Sequence, residues 1–131
     1  MVVVDASVLV DALLERGSSR ARIAGEVLAA PHLVDAECGS AFRDLERRGE
    51  LEPKVARRGL ANLAEIEIFR FEHGELLQRA WALRHNLTFY DALYVALAEG
   101  LNVPLLTLDA RVPSAPGVQA VVEVIPTPSG R

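Results

Sequence analysis

The sequence predicts an α/β fold, a three-layer α/β/α sandwich around a mostly parallel central sheet. Three observations lead there. Short β-branched and aliphatic runs alternate along the chain with segments of helical period. That alternation is what parallel β-α-β units require, since each strand must be followed by a crossover long enough to return to the same edge. Finally, two of the apolar runs end in a lone acid, Asp5 after Val2-Val3-Val4 and Asp109 after Leu105-Leu106-Thr107-Leu108. This is the residue type found where a buried strand emerges at a sheet edge.

Taken in order, residues 2–4 form a strand and residues 7–14 a helix. Gly17-Ser18-Ser19 breaks the chain and starts a second helix, expected to reach about Ala29. Residues 31–34 read as a brief strand, and Asp35 is a candidate N-cap for a helix running to Arg48. Gly49 closes that helix, and Pro53 suits the first position of the next, which extends to about Leu63. Residues 65–71 place Ile66 and Ile68 among charged neighbours and read as a strand. After Gly74 come helices over residues 75–84 and 89–99, the second stopped by Gly100. Residues 103–108 are a buried-type strand, and 118–125 form a last strand at an edge. Residues 1–131 make a single domain, with the Pro/Gly/Ser-rich tail 126–131 expected to fray.

Composition narrows the function classes. Half of the 131 residues are hydrophobic, enough for one real core. The single cysteine, Cys38, cannot form an intrachain disulfide and sits in a helical core stripe, where it reads as a small hydrophobe. The first residues carry no basic segment followed by an apolar run, and no stretch approaches the roughly 18 apolar residues of a membrane span. A cytoplasmic protein is expected. A formal charge of −4 argues against coating nucleic acid by charge alone. Arginine clusters at Arg20/Arg22, Arg43/Arg47/Arg48 and Arg57/Arg58 read either as a phosphate-facing rim or as solvated helix faces.

Four acids carry the candidate chemistry. Asp5 and Asp109 stand at the carboxyl edge of two expected central strands, where open α/β sheets bind ligands. Glu37 lies at the border of the stripe Val34, Cys38, Ala41, Phe42 and Leu45, and is either a ligand or an acid favoured by the helix dipole. Asp91 belongs to a helix that is apolar almost all round, where a carboxylate must be paired, capped or bound. Thr88 three residues before it offers the cap. Two like charges about 4 Å apart repel by roughly 4 kcal/mol at a dielectric near 20, so converging acids call for a cation between them. Oxygen ligands without a Cys or His cage favour Mg2+ or Mn2+, the ions of phosphoryl chemistry.

The blocks Val2-Val3-Val4-Asp5-Ala6-Ser7, Leu33-Val34-Asp35-Ala36-Glu37, Leu87 through Ala98 around Asp91, and Leu106-Thr107-Leu108-Asp109 resemble the PIN-domain family. Within it they are most similar to VapC-type toxins. The resemblance spans nearly the whole chain in order and implies a PIN-like fold with Mg2+/Mn2+-dependent endoribonuclease activity. It implies Asp5, Glu37, Asp91 and Asp109 as the metal-binding and catalytic acids, supported by the hydroxyls of Ser7 and Thr107. It further implies structured RNA such as tRNA or rRNA as substrate, a VapB-type antitoxin as partner, and a homodimer. The alternative within the fold is a non-catalytic PIN module that binds RNA or a protein.

Other acid-at-strand-end folds fit less well. A dehalogenase-type phosphatase expects an Asp where Ser7 stands, and a receiver domain expects a Lys after its last strands, whereas the only Lys is Lys54. A Ser-His-Asp hydrolase lacks its Gly-x-Ser-x-Gly elbow, and His32, His73 and His85 all fall at element ends or in loops, as surface or capping residues do.

Overall fold

A computed structural model of the protein describes residues 1–127. Five strands, β1 (Val2–Val4), β2 (Leu28–Pro31), β3 (Ile68–Phe71), β4 (Leu105–Thr107) and β5 (Val122–Val124), form one sheet in the order β3-β2-β1-β4-β5. Every pairing is parallel, Val3 facing Ala29 on one side and Leu105 on the other. The strands are short, and the central three are buried along their whole length. Fully parallel sheets need helices on both faces, and the all-apolar runs Val2–Val4 and Leu105-Leu106 reflect that double burial.

Six helices flank the sheet: α1 (Ala6–Leu14), α2 (Ser19–Ile23), α3 (Leu33–Arg47), α4 (Pro53–Glu65), α5 (Leu77–Ala82) and α6 (Phe89–Leu101). A 3-10 turn, Gly74–Leu76, leads into α5. Helices α1 to α4 pack on one another, α5 packs on α6, and α6 lies against β1, β2 and β4. Residues 92–98 of α6 are buried without a break, so this helix is the spine of its layer. The chain leaves β1 toward β2 and β3, then returns to the other side of β1 for β4 and β5. The order therefore reverses between β1 and β4, the position where such sheets bind ligands.

Several element boundaries differ from those expected from the sequence, each for a local reason. Helix α2 stops at Ile23 rather than near Ala29, because Gly25 takes a left-handed φ of 79° and the chain turns. The strand then forms at Leu28–Pro31, three residues before the expected one, because Leu28, Ala29 and Ala30 are the buried residues. Helix α3 in consequence starts at Leu33, and its cap is not Asp35. The Nε2 of His73 accepts from the Leu33 N–H at 3.1 Å, while Asp35 holds Arg70 through two bonds of 2.7 and 2.8 Å. Helix α4 extends to Glu65, which shortens the strand expected over 65–71 to Ile68–Phe71. Gly100 does not stop α6, which continues to Leu101 and ends on Asn102 at φ 55°. The last strand keeps only residues 122–124 of the expected 118–125, and the helix expected over 75–84 is divided into the 3-10 turn and a shorter α5. Of the tail expected to fray, Pro126 and Thr127 are exposed and irregular, and 128–131 lie outside the described residues.

Candidate active site

Asp5 is the first residue beyond β1 and also the N-cap of α1. Its Oδ1 accepts from the Val8 N–H at 3.1 Å, satisfying one of the orphan donors of the helix start. The same carboxylate accepts from Ser7 Oγ at 2.6 Å and, through Oδ2, from Thr107 Oγ1 at 2.5 Å. Both hydroxyls also anchor the backbone just past β4. Ser7 Oγ accepts from the Leu108 N–H and Thr107 Oγ1 from the Asp109 N–H, each at 3.1 Å. The ends of β1 and β4 are thus stitched by two hydroxyls that orient one acid and anchor the backbone of another.

Glu37 reaches the same place from the first complete turns of α3, and Asp91 from the first turn of α6, where Thr88 Oγ1 caps the Asp91 N–H at 3.1 Å. The two helical layers meet here, since the hydroxyl of buried Tyr94 donates to Glu37 Oε1 at 2.7 Å. Asp109, two residues past β4, accepts from its near neighbour Arg111 at the backbone N–H (2.9 Å), Nε (3.0 Å) and Nη2 (2.8 Å). Asp5, Ser7, Glu37, Asp91 and Asp109 all line one cleft of about 560 Å3 at the carboxyl edge of the sheet. Thr107 is fully buried behind them. The fold therefore brings together the acids and hydroxyls that the sequence singles out.

The charges of this cleft are under strain. Burial lifts the Asp5 carboxyl above its usual range, against the hydrogen bonds of Ser7, Thr107 and Val8, and the charge of Asp91 adds to the lift. Burial likewise raises Glu37; the Tyr94 hydroxyl opposes this, while Asp91 and Asp5 reinforce it. Asp91 is raised by burial and by Asp109, with Thr88 and Arg111 pulling the other way. Asp109 alone is held below the ordinary range, by the Arg111 side chain and backbone.

Sequence reasoning missed Tyr94 and Asp11 in this cleft, and Arg111, which reaches Asp109 from outside its lining. Tyr94 stands three positions after Asp91, so helical spacing held the signal. Arg111 lies in a turn with no periodicity to read. Asp11 also lines the cleft, but its Oδ2 accepts from the Ser19 N–H at 3.2 Å and caps α2, which gives it a structural task. The arginine clusters are largely engaged elsewhere: Arg22 holds Glu123 and Glu26, Arg20 holds Glu15, and Arg48 holds Glu50. Only Arg48, with Arg16, reaches the cleft wall. Burial pushes the Cys38 thiol up to about 12, so it behaves as the expected small hydrophobe. No helix among the described residues is long and apolar enough to cross a membrane.

The parallel sheet and the four acids beside its switch point agree with what the resemblance to the PIN-domain family implies. Residues 2–118 match the PIN domain model, and the chain belongs to that family. It is 44% identical over 128 residues to Ribonuclease VapC1 of Mycobacterium tuberculosis, covering 94% of this chain and 96% of that protein. Among solved structures it is similar to PAE2754 of Pyrobaculum aerophilum, with a TM-score of 0.70 and 28% identity over 94% of this chain and 83% of that one. It also shares the fold of VapBC2 from Rickettsia felis bound to a DNA fragment from their promoter. There the TM-score is 0.69 and the identity 14%, over 95% of this chain and 98% of that one.

Proposed function

We propose that this protein is a VapC-type toxin, a Mg2+/Mn2+-dependent endoribonuclease that cleaves RNA phosphodiester bonds and is held in check by a VapB-type antitoxin. The carrying observation is the convergence of Asp5, Glu37, Asp91 and Asp109 on one cleft. The likeness to a protein named as a VapC ribonuclease supports the choice of RNA over other phosphodiesters.

The donor set fits a hard divalent cation. Every candidate ligand is a carboxylate or hydroxyl oxygen, with no histidine or free thiolate among them. Among the described residues no three acidic, His or Cys side chains form a compact metal cage. The acids instead ring an open cleft, which suits an ion that keeps several waters and takes one or two carboxylates directly. Asp5 and Asp91 would be the direct ligands, with Asp109 beside them as a further ligand of the ion or its water and Glu37 acting on a water held between its carboxylate and the ion. When bound, Mg2+ or Mn2+ supplies an activated water and charge stabilisation on the scissile phosphate.

The chain's own residues do the positioning. Ser7 and Thr107 fix the rotamer of Asp5 so that its two oxygens cannot swing out of the cleft. Tyr94 holds Glu37 from the opposite layer, which sets the distance between the acids of α3 and α6. With this reading goes a homodimer, and tRNA or rRNA as the substrate class, as the family resemblance implies.

The test is cleavage of total cellular RNA by the purified, partner-free protein with Mg2+ or Mn2+, with 5′ ends mapped and Asp5→Ala as control. Discrete cuts that vanish with chelator and in the variant are expected. Tight binding of RNA or protein without any cut would leave a non-catalytic PIN module as the reading.

A further inference from the structure

Asp109 differs from Asp5, Glu37 and Asp91 in already having a cation, and that cation is its near neighbour in sequence. The Arg111 fork spans both oxygens, Nε on Oδ1 at 3.0 Å and Nη2 on Oδ2 at 2.8 Å. Such a two-point arginine–carboxylate contact is a strong, directional stand-in for a metal ion. Asp5 and Asp91 have no arginine partner among the described residues, so the device is particular to one corner of the cleft.

Two features make this contact releasable. The Arg111 side chain is 90% exposed, and its guanidinium has no other partner among the described residues, so leaving Asp109 returns it to water without stranding a buried charge. The Arg111 N–H bond to Oδ1 and the Asp109 N–H bond to Thr107 remain when the side chain leaves, so the carboxylate stays aimed into the cleft. By contrast, the pairs Arg70–Asp35 and Arg79–Glu99 lie outside the cleft and are more deeply packed, as structural clamps are.

We infer that Arg111 competes with the divalent cation for Asp109, so that binding of the cation displaces this arginine and Arg111 lowers the cation affinity of the cleft. The inference rests on the proposed reading of the cleft as a cation site. It makes Arg111 a positioning residue that acts through Asp109.

The experiment is a calorimetric Mn2+ titration without RNA, on full-length wild type, Arg111→Ala, Arg111→Lys, Asp109→Asn and the Asp109→Asn/Arg111→Ala pair. An exposed ion pair implies an effect of about two- to five-fold, so Arg111→Ala should bind Mn2+ tighter by that factor, with Arg111→Lys between it and wild type. In the Asp109→Asn background the alanine substitution should make no difference, as a double-mutant cycle demands of a direct contact. Unchanged or weaker Mn2+ binding by Arg111→Ala overturns the inference. So does a gain that persists without the Asp109 carboxylate, because it would belong to the general field of a removed charge. If wild type and Arg111→Ala both melt cooperatively yet bind no Mn2+, the cation reading itself falls and takes this inference with it.

Discussion

At the scale of single residues, the acids of the cleft divide by what else they hold. Asp5 caps α1 and accepts from two hydroxyls, one of them the fully buried Thr107. Asp5→Ala strips those donors of their acceptor, and a buried unsatisfied group costs about 1–3 kcal/mol. Asp91 stabilises little through its carboxylate and suffers burial and the charge of Asp109. We therefore expect both Asp5→Ala and Asp91→Asn to abolish cleavage while moving metal-free stability in opposite directions. Asp5→Ala should melt below wild type and Asp91→Asn above it, as read by thermal denaturation in chelator. If Asp91→Asn melts lower, the repulsion argument is wrong. Tyr94→Phe makes a third test. It keeps the packed ring but removes the bond to Glu37, at a cost of roughly 1–2 kcal/mol in urea denaturation. Slower cleavage is expected with it; an unchanged rate would relieve Tyr94 of any part in placing Glu37. Asp5 and Asp109 were legible in the sequence because each ends an apolar run, and Asp91 because it interrupts an apolar helix, whereas Glu37 stood only at the border of a helical stripe. Arg111 was not legible, because a two-residue step in a turn leaves no pattern.

At the scale of elements, the helix pair α3–α4 decides where Glu37 stands, and its packing turns on glycine. A Cβ at Gly59 would lie 2.9 Å from the ring of Phe42, which is buried on α3. Gly59→Ala gains roughly 0.5–1 kcal/mol of helix propensity. Overpacking a core costs about 1–3 kcal/mol, so the sum should be destabilising. Gly39, inside α3, offers the control, because a Cβ there would meet nothing within 4 Å. Gly39→Ala should stabilise by roughly 0.5–1 kcal/mol, since only the propensity gain remains. Chemical denaturation of the two variants checks the pair, and a shift of the same sign in both would refute this account of the α3–α4 contact. Elements themselves were readable where periodicity was strong, as in α4, whose Ala56, Gly59 and Leu63 are buried at helical spacing. Boundaries failed where helix formers sit in a strand. Ala29 and Ala30 favour a helix by propensity, but tertiary burial between β1 and β3 makes them strand. The cap of α3 escaped for a related reason, since His73 arrives from a loop about forty residues further along the chain.

At the scale of the whole molecule, the fold gathers negative charge at one edge of the sheet, and stability must depend on pH accordingly. Asp5, Glu37 and Asp91 have folded values raised above the ordinary 3.8 and 4.5. A raised acid favours the folded state most when protonated, so its contribution is complete below the ordinary value and is lost as pH climbs through the raised one. Asp109, Glu99 and Glu123 run the other way. Arg111 lowers Asp109, Arg79 lowers Glu99 against its burial, and Arg22 lowers Glu123, so their stabilisation is lost as pH falls. The metal-free protein is consequently squeezed from both sides, with the cleft setting the alkaline limb of the carboxylate range. A cation binds only the ionised carboxylates and relieves their repulsion, so its stabilising effect must grow as the cleft loses protons. We expect saturating Mg2+ to raise the melting temperature more at about pH 7.5 than at about pH 4, within the ordinary carboxylate range, relative to chelator at the same pH. The same comparison on Asp91→Asn should flatten the pH dependence, because one raised carboxylate and its neighbour repulsion are gone. Equal shifts at both pH values would mean that the cation acts somewhere other than this acidic edge.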